Sequence, residues 1–237
     1  MGKKQSIVHA IRKSAKIPRY LWWKSGLKKI FDRRIRKRIP FDYQAVVSDW
    51  GMEGAGLPHF SSRLYCEVKL LQKTMISGKT NKFDKSLEIG CGYGRLTPWI
   101  MEYSKEHFAV EPEKELFTVA KSLYPKAHFF NTKAQKLPFP DEFFDLCVTW
   151  TVLQHIPLEE QEKAAKEITR VAKKTATIIL AEEIGTLHSE TVWFRTLDSW
   201  VKLFEPWKLV WQIDRTLEKT AGKKQGKIMR FERKLDE

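Results

Sequence analysis

The sequence predicts an α/β fold: a doubly wound, mostly parallel seven-stranded sheet that ends in an antiparallel hairpin and follows a basic helical N-terminal extension. Three observations predict it. Short apolar runs alternate with segments of helical period between residues 86 and 181. A glycine-rich turn at Gly90, Gly92 and Gly94 joins the first run to the first helix of that series. Near the C-terminus two stretches alternate apolar and polar residues, as strands with one covered face do.

The strand candidates, in order, are Ser86–Ile89, Phe108–Val110, Ala127–Asn131, Asp145–Trp150 and Thr175–Ala181. Arg95–Tyr103, Lys114–Ser122 and Leu158–Ala172 read as the intervening helices. Short apolar strands alternating with helices imply a parallel sheet covered on both faces. Ser61–Ile76 reads as a helix preceding the first strand, after a loop over 41–60 containing Gly51, Gly54, Gly56 and Pro58. Lys208–Arg215 and Lys227–Arg233 form the hairpin, with a polar turn expected around Gly222 and Gly226.

Charge divides the chain unevenly. The net charge is +14, yet residues 1–40 hold 14 Lys and Arg against one acid, Asp32. The remaining chain is therefore close to neutral, which argues against a broad nucleic-acid-binding face on the globular part. We expect a basic amphipathic arm over 1–40 and one domain over 41–237. Within the arm, Trp23, Leu27, Ile30, Phe31 and Ile35 recur at helical spacing among Lys and Arg. Three readings of it stand: an interfacial helix on anionic lipid, an RNA-capturing arm, or a helix packed on protein with a solvated basic face. Cys66, Cys91 and Cys147 form no CxxC pair, so neither a disulfide framework nor a zinc site is expected, and no other metal. A reducing, cytoplasmic setting is expected, with peripheral membrane contact on the first of the three readings of the arm. No apolar run approaches the roughly 18 residues of a membrane span.

The densest information lies in Leu87-Glu88-Ile89-Gly90-Cys91-Gly92-Tyr93-Gly94-Arg95. An apolar strand ends, glycines allow a sharp turn and close approach of a ligand to the backbone, and a helix N-terminus follows. The register is G-x-G-x-G, not the G-x-G-x-x-G of dinucleotide sites. A second strand ends in Ala109-Val110-Glu111-Pro112, where a carboxylate is placed to accept from ribose hydroxyls. A third stretch runs Ala134-Gln135-Lys136-Leu137-Pro138-Phe139-Pro140-Asp141-Glu142-Phe143-Phe144-Asp145, and Thr151-Val152-Leu153-Gln154-His155-Ile156-Pro157 follows the fourth strand.

These motifs, in this order, resemble those of class I S-adenosylmethionine-dependent methyltransferases with a Rossmann-like fold, particularly the small-molecule, ubiquinone-biosynthesis-like type. The resemblance covers about residues 85–182. It implies S-adenosyl-L-methionine as cofactor, with Glu88, Gly90, Gly92 and Gly94 along its methionine and ribose, Glu111 on the ribose, and Ala134 and Gln135 beside the adenine. Lys133 stands where the family often has an acid before the Ala, which shifts the adenine contact to Gln135 or a backbone carbonyl. Asp145 is read as structural.

Methyl transfer to oxygen is helped by a general base. His155 is the first candidate, because the segment after the fourth strand faces the acceptor in the family. Capping or orienting its loop is the rival role. Glu182 and Glu183 close the fifth strand where ligands gather in open α/β sheets, and Glu183 is the second candidate base. Arg95 and Arg63 are candidates for the cofactor carboxylate. Residues 184–207, with His188, Trp193, Phe194, Arg195, Trp200, Phe204 and Trp207, are the expected acceptor lid, although Trp200 and Phe204 at i, i+4 spacing read as helix packing. The expected reaction is methylation of a small-molecule, lipid or glycan acceptor at oxygen. RNA methylation, a non-catalytic binding module and, more distantly, a dehydrogenase are the alternatives.

Overall fold

The computed structural model describes residues 57–76, 83–186, 191–215 and 225–233, and the arm expected over 1–40 lies outside them. Two compact units divide the chain, Met1–Ser62 and Arg63–Glu237, and all side-chain detail below belongs to the second.

In chain order the elements are α1 (Leu57–Ile76), β1 (Phe83–Ile89), α2 (Thr97–Met101), β2 (Ser104–Val110), α3 (Lys114–Leu123), β3 (His128–Phe130), β4 (Phe144–Trp150), a 3₁₀ turn (Leu153–His155), α4 (Leu158–Val171), β5 (Ala172–Ile184), α5 (Leu197–Leu203), β6 (Lys208–Asp214) and β7 (Gln225–Glu232). The strands form one seven-stranded sheet in the order β3-β2-β1-β4-β5-β7-β6. The first five strands pair in parallel. β7 runs antiparallel to both β5 and β6. This is the doubly wound sheet with a terminal antiparallel hairpin that the strand–helix alternation predicts.

Each central strand is apolar on both faces because helices cover both. On one face Leu87, Ile89, Cys147, Ile178 and Leu180 meet Ala164, Ala165 and Ile168 of α4 and Trp200 and Phe204 at the end of α5. On the other, Leu146, Val148, Ile179 and Ala181 meet Val68, Leu71 and Met75 of α1 and Ile100 of α2. Strict alternation along the strand sends neighbours into opposite cores. Trp200 and Phe204 are fully buried, as helix-packing residues are.

Several boundaries differ from those expected. α1 starts at Leu57, inside the expected loop, with Pro58 in its first turn, where a missing N–H costs nothing. α2 is only five residues long and begins at Thr97 rather than Arg95, because Gly94 and Arg95 still belong to the turn and Pro98 suits a first helical turn. β5 runs 13 residues and follows α4 without a loop. Its exposed Lys174 and Thr175 hide its beginning from a reading of apolar pattern. Gly226 is not in the hairpin turn. It lies within β7, paired with Glu183. Gly222 lies outside the described residues. Among the described residues no helix is long and apolar enough to cross a membrane.

Candidate cofactor and acceptor site

The parallel strands β1, β4 and β5 bring their C-terminal ends to one edge, and the motif residues converge there. Gly90, Gly92 and Gly94 have φ of 68°, 56° and 88°. A Cβ on Gly90 would strike Val152 and one on Gly94 would strike the Tyr124 ring, each at 2.6 Å. A Cβ on Gly92 would meet nothing within 4 Å. The outer glycines are thus packing requirements, whereas Gly92 keeps open space beside a left-handed backbone that side chains rarely adopt. Open space beside the half-buried Gly92 suits a ligand that approaches the main chain.

Glu111 joins the first two motifs. Its carboxylate accepts from Gly92 N–H at 2.8 Å and from Glu113 N–H at 3.0 Å. Asn131, just past β3, donates to the carbonyls of Glu111 and Pro112 at 2.8 Å each and so fixes the acidic loop. Glu88 is buried and accepts from Thr97 Oγ1 at 2.6 Å, with His107 Nε2 3.5 Å away. Its carboxylate ties β1 to the start of α2 beneath the turn. The five residues of α2 are too few to build a strong helix dipole, and the N–H groups of Gly90, Cys91, Gly92 and Gly94 already donate within the protein. Burial and the charges of Glu88 and Glu111 push the Cys91 thiol far above the ordinary range, and burial does the same to Cys147.

Ala134 is buried and Gln135 half-buried in the loop between β3 and β4. An arginine that sequence reading passed over holds this loop. Arg170 of α4 donates to the carbonyls of Leu137 and Phe139 and pairs with Asp141 and Glu167. Glu167 accepts in turn from Leu137 N–H at 2.8 Å. Hydrogen bonding to Arg170 holds the Glu167 carboxyl below its ordinary range, with the Leu137 N–H adding to it against the opposing effect of burial. A carboxyl lowered in the folded state contributes stability above its unfolded value, about pH 4.3, and loses it as pH falls through the lowered value. Because the pair is partly exposed, the contribution is about 1 kcal/mol. We expect Arg170→Gln to remove that acid-side dependence, measured as urea stability between pH 5 and 3. A wild-type slope retained in the variant refutes the assignment. Asp145, at the opposite end of β4, accepts from Lys85 N–H and pairs with Lys173, a structural role.

The acceptor side is built on the segment after β4. Thr151, a β-branched residue, sits at φ 57°, a strained conformation that costs of order 1–3 kcal/mol. The 3₁₀ turn behind it is held by Glu182. This wholly buried carboxylate accepts from the N–H groups of Val152, Leu153 and Gln154 at 3.1–3.2 Å and from Thr149 Oγ1 at 3.1 Å. Burial raises its pKa, and those four donors oppose the rise. Glu182 therefore shapes the loop that carries His155.

His155 is exposed, and its Nδ1 lies 3.0 Å from the Thr191 carbonyl. A carbonyl only accepts, so in the neutral ring Nδ1 carries the proton and Nε2 accepts from Gln154 Nε2 at 3.4 Å. The Glu183 carboxylate is paired with Arg215, and its N–H donates to Gln154 Oε1 at 2.8 Å. The lid region packs onto the same loop. Trp193 N–H donates to the Gln154 carbonyl at 2.7 Å, and Gly185 N–H donates to the Arg195 carbonyl at 3.0 Å. Arg195 is fully engaged with Gln161, Ser199 and the Leu158 carbonyl. His188 and the side chain of Arg63 lie outside the described residues. Among the described residues no cluster of His, Cys, Asp or Glu is arranged to hold a metal ion.

Strand order, glycine turn and the acid after β2 together define the architecture of class I S-adenosylmethionine-dependent methyltransferases. The comparisons agree. Residues 87–180 match the family described as Methyltransferase domain. An uncharacterized methyltransferase of Schizosaccharomyces pombe is 34% identical over 39% of this chain and 37% of its own length. The uncharacterized methyltransferase YcgJ of Bacillus subtilis is 30% identical over 40% of this chain and 39% of its own. A SAM-dependent methyltransferase structure from Methanosarcina mazei superposes with a TM-score of 0.58 at 18% identity, covering 70% of this chain and 98% of that one. Residues 87–180 thus carry the likeness to a methyltransferase domain. The chain spans less than two fifths of the length of these two curated relatives.

Proposed function

We propose that the protein transfers a methyl group from S-adenosyl-L-methionine to an oxygen of a small-molecule, lipid or glycan acceptor. The observation that carries this reading is the open space at Gly92 beside a Glu111 carboxylate already joined to that turn. Those residues fit the cofactor: Gly90, Gly92 and Gly94 with Glu88 beneath them form the cradle, Glu111 takes the ribose, and Ala134 and Gln135 border the adenine. The bound cofactor supplies an electrophilic methyl group, and the protein's task is orientation and proton management. His155 removes the acceptor proton at Nε2, since Nδ1 is committed to the Thr191 carbonyl. The carboxylate of Glu183, the other candidate base, is held by Arg215, and this favours His155.

The test is transfer of a labelled methyl group to candidate hydroxyl acceptors, followed by mass spectrometry. His155→Gln is expected to lower turnover about 10²–10³-fold with cofactor affinity unchanged. Unchanged turnover leaves His155 a loop residue only, and transfer to RNA alone replaces the acceptor class.

The arm over residues 1–40 completes the reading, with 41–237 as the catalytic domain of a cytoplasmic protein that meets anionic membrane peripherally. Deleting 1–40 removes 14 of the 43 basic residues and one acid. The full chain is expected to float with phosphatidylserine vesicles at low salt and the truncated chain to remain behind, each basic residue contributing about 1 kcal/mol near such a surface. Equal flotation of both rejects a lipid role for the arm.

A further inference from the structure

A line of four alternating charges crosses the site edge. Arg95, at the exit of the glycine turn, pairs with Glu67 of α1. Glu67 lies 3.6 Å from Arg215 at the end of β6. Arg215 pairs with Glu183 near the end of β5. The Glu67 side chain is fully buried and Arg215 nearly so. Arg215 is further fixed by its N–H, which donates to the Gly226 carbonyl at 2.7 Å, and its guanidinium lies where a Cβ on Gly226 would sit. Buried charges of this kind persist only when geometry and partners are well matched.

Its place in the sheet gives this line a meaning. With the order β3-β2-β1-β4-β5-β7-β6, Glu111 and the Ala134–Gln135 loop lie on the β2 and β3 side of the glycine turn. The line of charges runs the other way, from the exit of that turn toward β5 and β6. On the proposed reading, on which this inference rests, the nucleoside half of the cofactor occupies the first side and its amino-acid half extends toward the second. We propose that Glu67 and Arg215 are positioning residues for the amino-acid half. They lock the exit of the glycine turn, through Arg95, to the end of β5, through Glu183. Neither residue acts on the nucleoside half.

Two ligands separate the halves. S-adenosylhomocysteine carries both, and 5′-methylthioadenosine lacks the amino acid. Calorimetric Kd values for both are measured on the full chain, on Glu67→Gln and on Arg215→Lys. The lysine variant keeps the buried charge count and so remains folded even where Glu67→Gln does not, yet one ammonium cannot bridge two carboxylates as the planar guanidinium does. The expected result is a roughly tenfold loss of S-adenosylhomocysteine affinity in each folded variant, with 5′-methylthioadenosine unchanged within about twofold. Equal losses for both ligands, the mark of general loosening, overturn the proposal, as does unchanged S-adenosylhomocysteine binding. Failure of the wild type to bind either ligand instead removes the cofactor reading itself, and the positioning role falls with it.

Discussion

Gly92→Asp is expected to eliminate S-adenosylhomocysteine binding, a loss of about a hundredfold or more, while the domain stays folded. The two parts of this result have separate causes. The position faces open space, so the new side chain strikes no protein atom. Its backbone cost is that of a left-handed residue, about 1–2 kcal/mol, and Asp tolerates that region better than most. Its carboxylate, however, stands in the cradle and beside the Glu111 carboxylate, where a second negative charge repels. A loss of a hundredfold is about 2.7 kcal/mol. Gly94→Ala separates the causes from the other direction. Its methyl group meets the Tyr124 ring at 2.6 Å, so stability falls along with binding. Calorimetry with S-adenosylhomocysteine and thermal unfolding on both variants decide it. Gly92→Asp protein that binds normally removes the turn from the cofactor site.

Glu182→Ala is expected to be the most destabilising single change at this edge, at about 3–5 kcal/mol. Three backbone N–H groups and the Thr149 hydroxyl lose their acceptor at once, in a place where the side chain is wholly buried. Each orphaned buried donor costs about 1–3 kcal/mol, offset in part by water entering the gap. The carboxylate itself is costly to bury, so its removal recovers some free energy. Urea denaturation reads the difference. A change below about 1 kcal/mol means that the 3₁₀ turn holds its shape without Glu182.

The sheet was legible because its strands are short and apolar on both faces and are separated by helices of clear period. The five parallel strands and the hairpin lie where that pattern puts them. Its blind spots share a cause: they are positions where the pattern is polar or belongs to two elements. β5 begins with Ala172, Lys173, Lys174 and Thr175, which look like the tail of α4. The start of α1 sits among prolines and glycines that read as loop. The motif residues that meet at the C-terminal edge of the sheet stand out in the sequence by their glycine spacing and by the acid after β2. What stayed hidden were the residues that hold those motifs. Arg170, Gln161, Glu67 and Arg215 are distant in sequence from the groups they fix. No local spacing links Arg170 to Phe139 or Glu67 to Arg95. Glu182 and Glu183 are adjacent and chemically identical in sequence, yet one braces a turn from inside the core and the other pairs with the buried Arg215 across to the end of β6. Only the strand's alternation separates their fates.

The insertion of β7 between β5 and β6 also has a consequence for how the chain assembles. β6 pairs with β7 and not with β5. Although it emerges first from the ribosome, it has no place on the sheet until β7 has been made. At synthesis rates of about 5–20 residues per second, the interval between the two strands lasts roughly one to four seconds. Throughout it the β5 edge, with Ile178, Leu180 and Ala181, lacks its neighbour. Hydrogen exchange on released chains truncated at residue 214 should find the β5 amides that face β7 unprotected while those that face β4 are protected, and protection of the first set should appear only in chains that include residue 232. β7 thus covers the β5 edge, and chains interrupted before it is made expose the apolar strand edge that invites aggregation.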